Sequence, residues 1–124
     1  MALKVLLVDD SSMMRKAIAR AIRKGGIDIE STAEAADGKQ GLAELASQSV
    51  DLVICDWNMP EMNGLEFIRA ARDDNYTVPI MMLTTEGTQD RVDQAMEAGA
   101  NGYVTKPFTP EKLVESIQSI VGGS

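Results

Sequence analysis

The sequence predicts an α/β domain of (βα)5 form, a doubly wound five-stranded parallel sheet with helices on both faces. Three observations predict it. Short apolar runs occupy residues 4–8, 29–35, 51–55, 80–84 and 102–105, and several are continuously apolar, as strands buried on both faces are. Between them apolar residues recur at helical spacing. Acids, hydroxyls and an amine stand where the runs stop, and the strand ends of open α/β sheets are where ligands bind.

Taken in order, Val5-Leu6-Leu7-Val8 is the first strand and ends at Asp9-Asp10. The first helix carries Met14, Ala17, Ile18, Ala21 and Ile22 on one face and Arg15, Lys16, Arg20, Arg23 and Lys24 on the other, and Gly25-Gly26 stops it. After the second strand, Asp37-Gly38 opens a helix with Leu42, Leu45 and Ala46 inward. Leu52-Val53-Ile54-Cys55 is the third strand and ends at Asp56, and its helix has Leu65, Ile68 and Ala71. The fourth strand ends at Thr84-Thr85-Glu86, and its helix, marked by Val92, Ala95 and Met96, stops at Gly99. The fifth strand leads into Lys106-Pro107-Phe108. Thr109-Pro110 then supplies the N-cap and first-turn proline of a helix with Leu113, Val114, Ile117 and Ile120 inward. These stripes are core packing. The crossovers are expected to be right-handed. Residues 1–124 are expected to form a single domain with no effector domain, and Gly122-Gly123-Ser124 to be a frayed end or the start of a linker.

Composition narrows the chemistry. A chain of 124 residues, 44% apolar and 25% charged, can bury a substantial core. A net charge of −7 argues against a broad nucleic-acid or anionic-membrane surface. No apolar stretch approaches the roughly 18 residues of a membrane span, and no signal peptide is visible. The lone Cys55, inside an apolar run, reads as a small buried hydrophobe and suits a reducing cytoplasm. The absence of histidine excludes a Ser-His-Asp triad and histidine metal sites, and one cysteine excludes a structural zinc centre.

If the first and third strands are neighbours, Asp9, Asp10 and Asp56 converge at one sheet edge. Two like charges about 5 Å apart cost on the order of 3 kcal/mol at an effective dielectric near 20. Such a cluster needs a cation. A hard divalent ion and one lysine would serve, and Lys106 is the candidate lysine. One acid after a strand is usually a cap or turn residue. Four polar signals on one edge are less easily dismissed.

The segments Asp56-Trp57-Asn58-Met59-Pro60, Asn63-Gly64-Leu65-Glu66, Ala98-Gly99-Ala100 and Gly102-Tyr103-Val104 through Lys106-Pro107-Phe108 identify a family. On them the chain resembles a response-regulator receiver domain over essentially its full length, most nearly the chemotaxis members. The resemblance implies the flavodoxin-like strand order 2-1-3-4-5, which sets the first and third strands side by side. It implies a two-component response regulator in which Asp56 accepts a phosphoryl group from a histidine kinase. It implies Mg2+, held directly by Asp10 and Asp56, through water by Asp9, and by the Asn58 backbone carbonyl. Lys106 pairs with Asp56 at rest and with a phosphoryl oxygen afterwards, and Lys106-Pro107 is expected to be cis. Thr84 is the switch hydroxyl. Tyr103 matches an aromatic that turns from exposed to buried, although a half-buried strand tyrosine explains it equally well. Asn58 and Glu86 sit where relatives tune loss of the phosphoryl group. Trp57 is expected near the metal, its ring partly exposed.

The same resemblance implies a cytoplasmic, monomeric switch that catalyses its own phosphorylation and dephosphorylation but turns over no small molecule. Its partners would be the kinase, a downstream protein such as the flagellar switch, and a phosphatase, with no nucleic acid or membrane. Output would use helix 4, strand 5 and helix 5. Two departures bear on that output: Thr85 stands where alanine is common, and Gly87-Thr88-Gln89-Asp90 opens helix 4 without lysines. A receiver cut from a larger regulator, or one with a non-flagellar target, therefore stays open. A haloacid-dehalogenase-like phosphatase needs an aspartate where Asn58 stands. A flavin mononucleotide carrier would place phosphate against Asp9-Asp10, which repel it. A phosphorylation-independent adaptor would take up no phosphoryl group.

Overall fold

The computed structural model describes residues 2–121, so the tail 122–124 lies outside the described residues. Its elements alternate in the expected order: β1 Leu3–Val8, α1 Ser12–Lys24, β2 Ile29–Ala35, α2 Gly38–Ser47, β3 Leu52–Cys55, α3 Gly64–Asp73, β4 Ile80–Thr84, α4 Gln89–Ala98, β5 Gly102–Thr105 and α5 Pro110–Val121. All pairings are parallel, and the sheet runs β2-β1-β3-β4-β5. The order implied by the resemblance is the order found.

Local chemistry explains where the helices begin and end. Ser11, Asp37, Asn63 and Thr88 each accept a backbone N–H of the first turn they precede. Asn63 and Glu66 complete a reciprocal capping box. Thr109 Oγ1 accepts from the Lys112 amide at 3.2 Å, so Pro110 sits in the first turn, where its missing N–H costs nothing. At the end of α4, Gly99 has φ of 121°, a conformation that side chains resist.

Two apolar layers flank the sheet. On one face α1 and α5 set Ile18, Ile22, Leu113 and Ile117 against Val5, Leu7, Ile54 and Leu83. On the other, α2, α3 and α4 set Leu45, Phe67, Ile68 and Ala95 against Leu6, Val8, Val53 and Met82. The central strands β3 and β4 are buried at every residue, which is why they read as unbroken apolar runs.

The register aligns the strand ends. Val8 pairs with Cys55, and Thr84 with Thr105. The Asp9 amide donates to Ala35 O at 3.0 Å, Asp56 N–H to Val8 O at 2.9 Å and Lys106 N–H to Thr84 O at 2.8 Å. Asp9, Asp56, Thr84 and Lys106 therefore share one edge. Gly64, the first residue of α3, closes against it, and a Cβ there would lie 2.1 Å from the Asp56 carbonyl oxygen. Since that neighbour is backbone, the clash cannot be relieved by a rotamer change. Gly64→Ala is expected to lower unfolding free energy by about 1–3 kcal/mol, the usual cost of overpacking, as read by urea denaturation. An unchanged midpoint would show that α3 shifts freely.

Candidate functional site: an acidic pocket at the carboxyl edge of the sheet

Asp9, Asp10 and Asp56 each offer a carboxylate oxygen, and the three lie within 4.8 Å of one another. Asp9 is buried, Asp10 exposed and Asp56 mostly buried, its side chain 12% exposed. The Lys106 ammonium stands between two of them, 3.2 Å from Asp9 Oδ2 and 3.5 Å from Asp56 Oδ2. The sequence expectation paired Lys106 with Asp56 alone. The structure adds Asp9 as the nearer partner, because the side chain reaches the seam between β1 and β3. The Lys106-Pro107 bond is cis, as expected.

Backbone donors fix the other oxygens. Ser11 N–H donates to Asp9 Oδ1 at 2.9 Å, and Trp57 N–H to Asp56 Oδ1 at 2.7 Å. Burial pushes the Asp56 carboxyl above its ordinary value; Lys106 pulls it down, Asp9 pushes it up, and the Trp57 amide and Thr84 hydroxyl pull it down. One amine thus faces three carboxylates in a partly buried setting. Oxygen-only donors around such a deficit are what a hard divalent cation prefers.

The remaining predicted residues surround the pocket. Thr84, fully buried, accepts the Glu86 amide at 3.3 Å. Asn58 Nδ2 donates to Glu86 Oε1 at 3.4 Å across the mouth. The Tyr103 hydroxyl donates to the Glu86 carbonyl, so the ring is half-buried and turned toward the β4–α4 loop rather than outward. Burial and the neighbouring Glu86 push the Tyr103 phenol up.

Trp57 corrects an expectation. Its ring is 4% exposed, not partly exposed. The guanidinium of Arg91, on α4, covers it at 5.0 Å from the ring centroid, and the core packs the rest. Sequence reasoning had no access to Arg91, because no periodicity links residues on elements 34 positions apart. It also missed Arg15, which donates to the Asp9 carbonyl and pairs with Glu34 at 2.8 Å, tying α1 and β2 to the pocket.

These features, five parallel strands with an acid triad and a lysine at their ends, are those of a phospho-accepting signalling domain. Residues 5–118 match the response regulator receiver domain family, and the chain belongs to it. It is 43% identical over 120 residues to the chemotaxis protein CheY of Pseudomonas aeruginosa, covering 95% of each chain. It is 42% identical to chemotaxis protein CheY1 of Helicobacter pylori, covering 97% of this chain and 98% of that one. The structure resembles CheY4 of Vibrio cholerae with a TM-score of 0.84 at 36% identity, covering 97% and 99% of the two chains. It also resembles the CheX–CheY–BeF3–Mg complex of Borrelia burgdorferi, with a TM-score of 0.86 at 25% identity, covering 94% and 87%. The protein is a two-component response regulator with chemotaxis proteins as its relatives.

The folded chain holds the Asp56 proton more tightly than the unfolded chain does, so stability falls as pH rises from the ordinary carboxylate range through the raised value. Asp56→Asn removes that loss. In metal-free buffer at neutral pH it is expected to raise the melting temperature by about 4 °C, corresponding to roughly 1 kcal/mol. The gain should vanish below the ordinary aspartate range. Calorimetry across pH reads both, and a variant less stable at neutral pH would refute the assignment.

Proposed function

We propose that this protein is a cytoplasmic, Mg2+-dependent phospho-switch of the chemotaxis type. The observation that carries this reading is the Lys106 amine spanning Asp9 and Asp56 beside three convergent carboxylates. Asp56 is the phosphoacceptor. One of its oxygens forms a bond to phosphorus as the P–N bond of a kinase phosphohistidine breaks, and the electron pair stays on the ring nitrogen. A carboxylate needs no general base for this step.

Asp10, Asp56 and the Asn58 carbonyl would hold Mg2+ directly, with Asp9 through water, and the ion would supply neutralisation of the charge that the phosphoryl group brings. The chain's own residues do the rest. Lys106 screens Asp56 before transfer and meets a phosphoryl oxygen after it. Thr84 donates its hydroxyl to a phosphoryl oxygen, which draws the β4–α4 loop inward. Tyr103 follows through its bond to the Glu86 carbonyl, and the face of α4, β5 and α5 changes shape. Dephosphorylation is attack by water on phosphorus, which releases phosphate and restores the carboxylate. Asn58 and Glu86, hydrogen-bonded across the mouth, tune that water's approach, and this pair suits a short-lived phosphoryl state.

The output is contact with another protein through the face of α4, β5 and α5. The flagellar switch is the target we assign from the resemblance to chemotaxis proteins, and a phosphatase is a further partner on the same ground.

Acetyl phosphate with Mg2+ is expected to add one phosphoryl group to the intact protein, read by mass spectrometry. Asp56→Asn or chelation of Mg2+ should abolish the gain. Lys106→Ala should keep uptake but lose the accompanying Trp57 fluorescence change. Asn58→Ala or Glu86→Ala should lengthen the phosphoryl lifetime severalfold. Normal uptake by Asp56→Asn would overturn the site, and steady turnover of a phosphate ester would reclassify the protein as a phosphatase.

A further inference from the structure

A second charged feature lies away from the acidic pocket. Helix α1 carries five of the chain's 12 cationic side chains and no acid. The seven other cations are set against all 19 acids. Lys16, Arg20, Arg23 and Lys24 are exposed, follow one another at three- and four-residue spacing, and form no ion pair among the described residues. Arg15 differs: Asp9 and Glu34 occupy its guanidinium.

The stripe is not explained by folding. The helix dipole accounts for Arg23 and Lys24 in the last turn, but not for Lys16 or Arg20. Like charges four residues apart, as in Lys16/Arg20 and Arg20/Lys24, destabilise a helix by about 0.2–0.5 kcal/mol per pair. No ion pair among the described residues offsets that cost.

The stripe also borders a groove. Only α1 and α5 cover this face of the five-stranded sheet, and β2 is its edge strand. Thr32 and Glu34, paired with Val5 and Leu7, point to this face beside α1 with no helix over them. The result is an open groove of about 600 Å3, floored by Leu7, Ala19 and Thr32 and walled by the four cations. It runs beside α1, along the edge strand β2. Lys16 to Lys24 spans about 12 Å at 1.5 Å per residue, so acids at i, i+4 and i+7 of a neighbouring helix would match the stripe.

We propose that this groove is a docking site for an acidic helix of a partner protein, separate from the α4-β5-α5 face and indifferent to the state of Asp56. The groove favours a helix over a loose anion. Its cations are strung along an axis instead of converging on a point, and Leu7, Ala19 and Thr32 lie at its floor.

The test is fluorescence anisotropy with two labelled peptides in low salt. One is an alanine-based helix with glutamates at i, i+4 and i+7 of a single face, and the other is an isomer with the same glutamates spread around the helix. The first should bind, with affinity falling as salt rises. Arg20→Glu with Arg23→Glu should weaken it by about tenfold or more, as should the milder Lys16→Gln with Lys24→Gln. Lys112→Glu on α5 should change nothing, and neither should treatment with acetyl phosphate and Mg2+. Circular dichroism and phosphoryl uptake verify each variant's fold, and uptake is read separately, so failure of the switch and failure of the groove are distinguishable. Equal binding of the spread isomer, unchanged binding after charge reversal, or tighter binding of a single-stranded oligonucleotide would each overturn the proposal.

Discussion

The bridge from Lys106 to Asp9 and Asp56 is the contact on which the rest depends. Its partners come from β1, β3 and the segment after β5, so it exists only if five strands pack in one order and register. Two carboxylates brought this close repel, and partial burial magnifies the repulsion. The ammonium offsets part of it. What remains is a poised electrostatic imbalance, supported by a core that is apolar without interruption beneath it. Phe67, Ile54 and Met82, wholly buried, hold the strand ends level. The scaffold is thus stable enough to keep a locally unfavourable cluster in place, a frequent arrangement at functional sites.

Much of this was legible in the sequence, and the reasons differ by residue. Asp56 and Asp9 could be placed because each follows a continuously apolar run, and strand direction then dictates the edge they share. Thr84 and Lys106 followed by the same logic. Helix starts were legible where a short polar side chain precedes the first turn, as at Asp37 and Thr109. What stayed hidden were contacts made by long side chains across elements. Arg91 reaches Trp57 from α4, Arg15 reaches Asp9 from α1, and Lys106 divides itself between two acids. No spacing rule encodes such reach. The buried ring of Trp57 was misread for this reason, since its cover comes from another helix.

The loop between β4 and α4 collects these long contacts. Glu86 takes a hydrogen bond from Asn58 at its carboxylate and one from Tyr103 at its carbonyl, while its own N–H is held by Thr84. One residue thereby links the pocket mouth, the end of β4 and the ring on β5.

Cys55 has a different consequence. It lies at the end of a central strand, is fully buried directly before Asp56, and has its thiol pushed far up by burial and by the two carboxylates. Thiolate is the reactive form, so the folded molecule shields this sulfur both sterically and electrostatically. Alkylating reagents can therefore modify only molecules in which the middle of the sheet has parted. The rate of that modification would count such openings one molecule at a time, with a built-in label that requires no engineered residue.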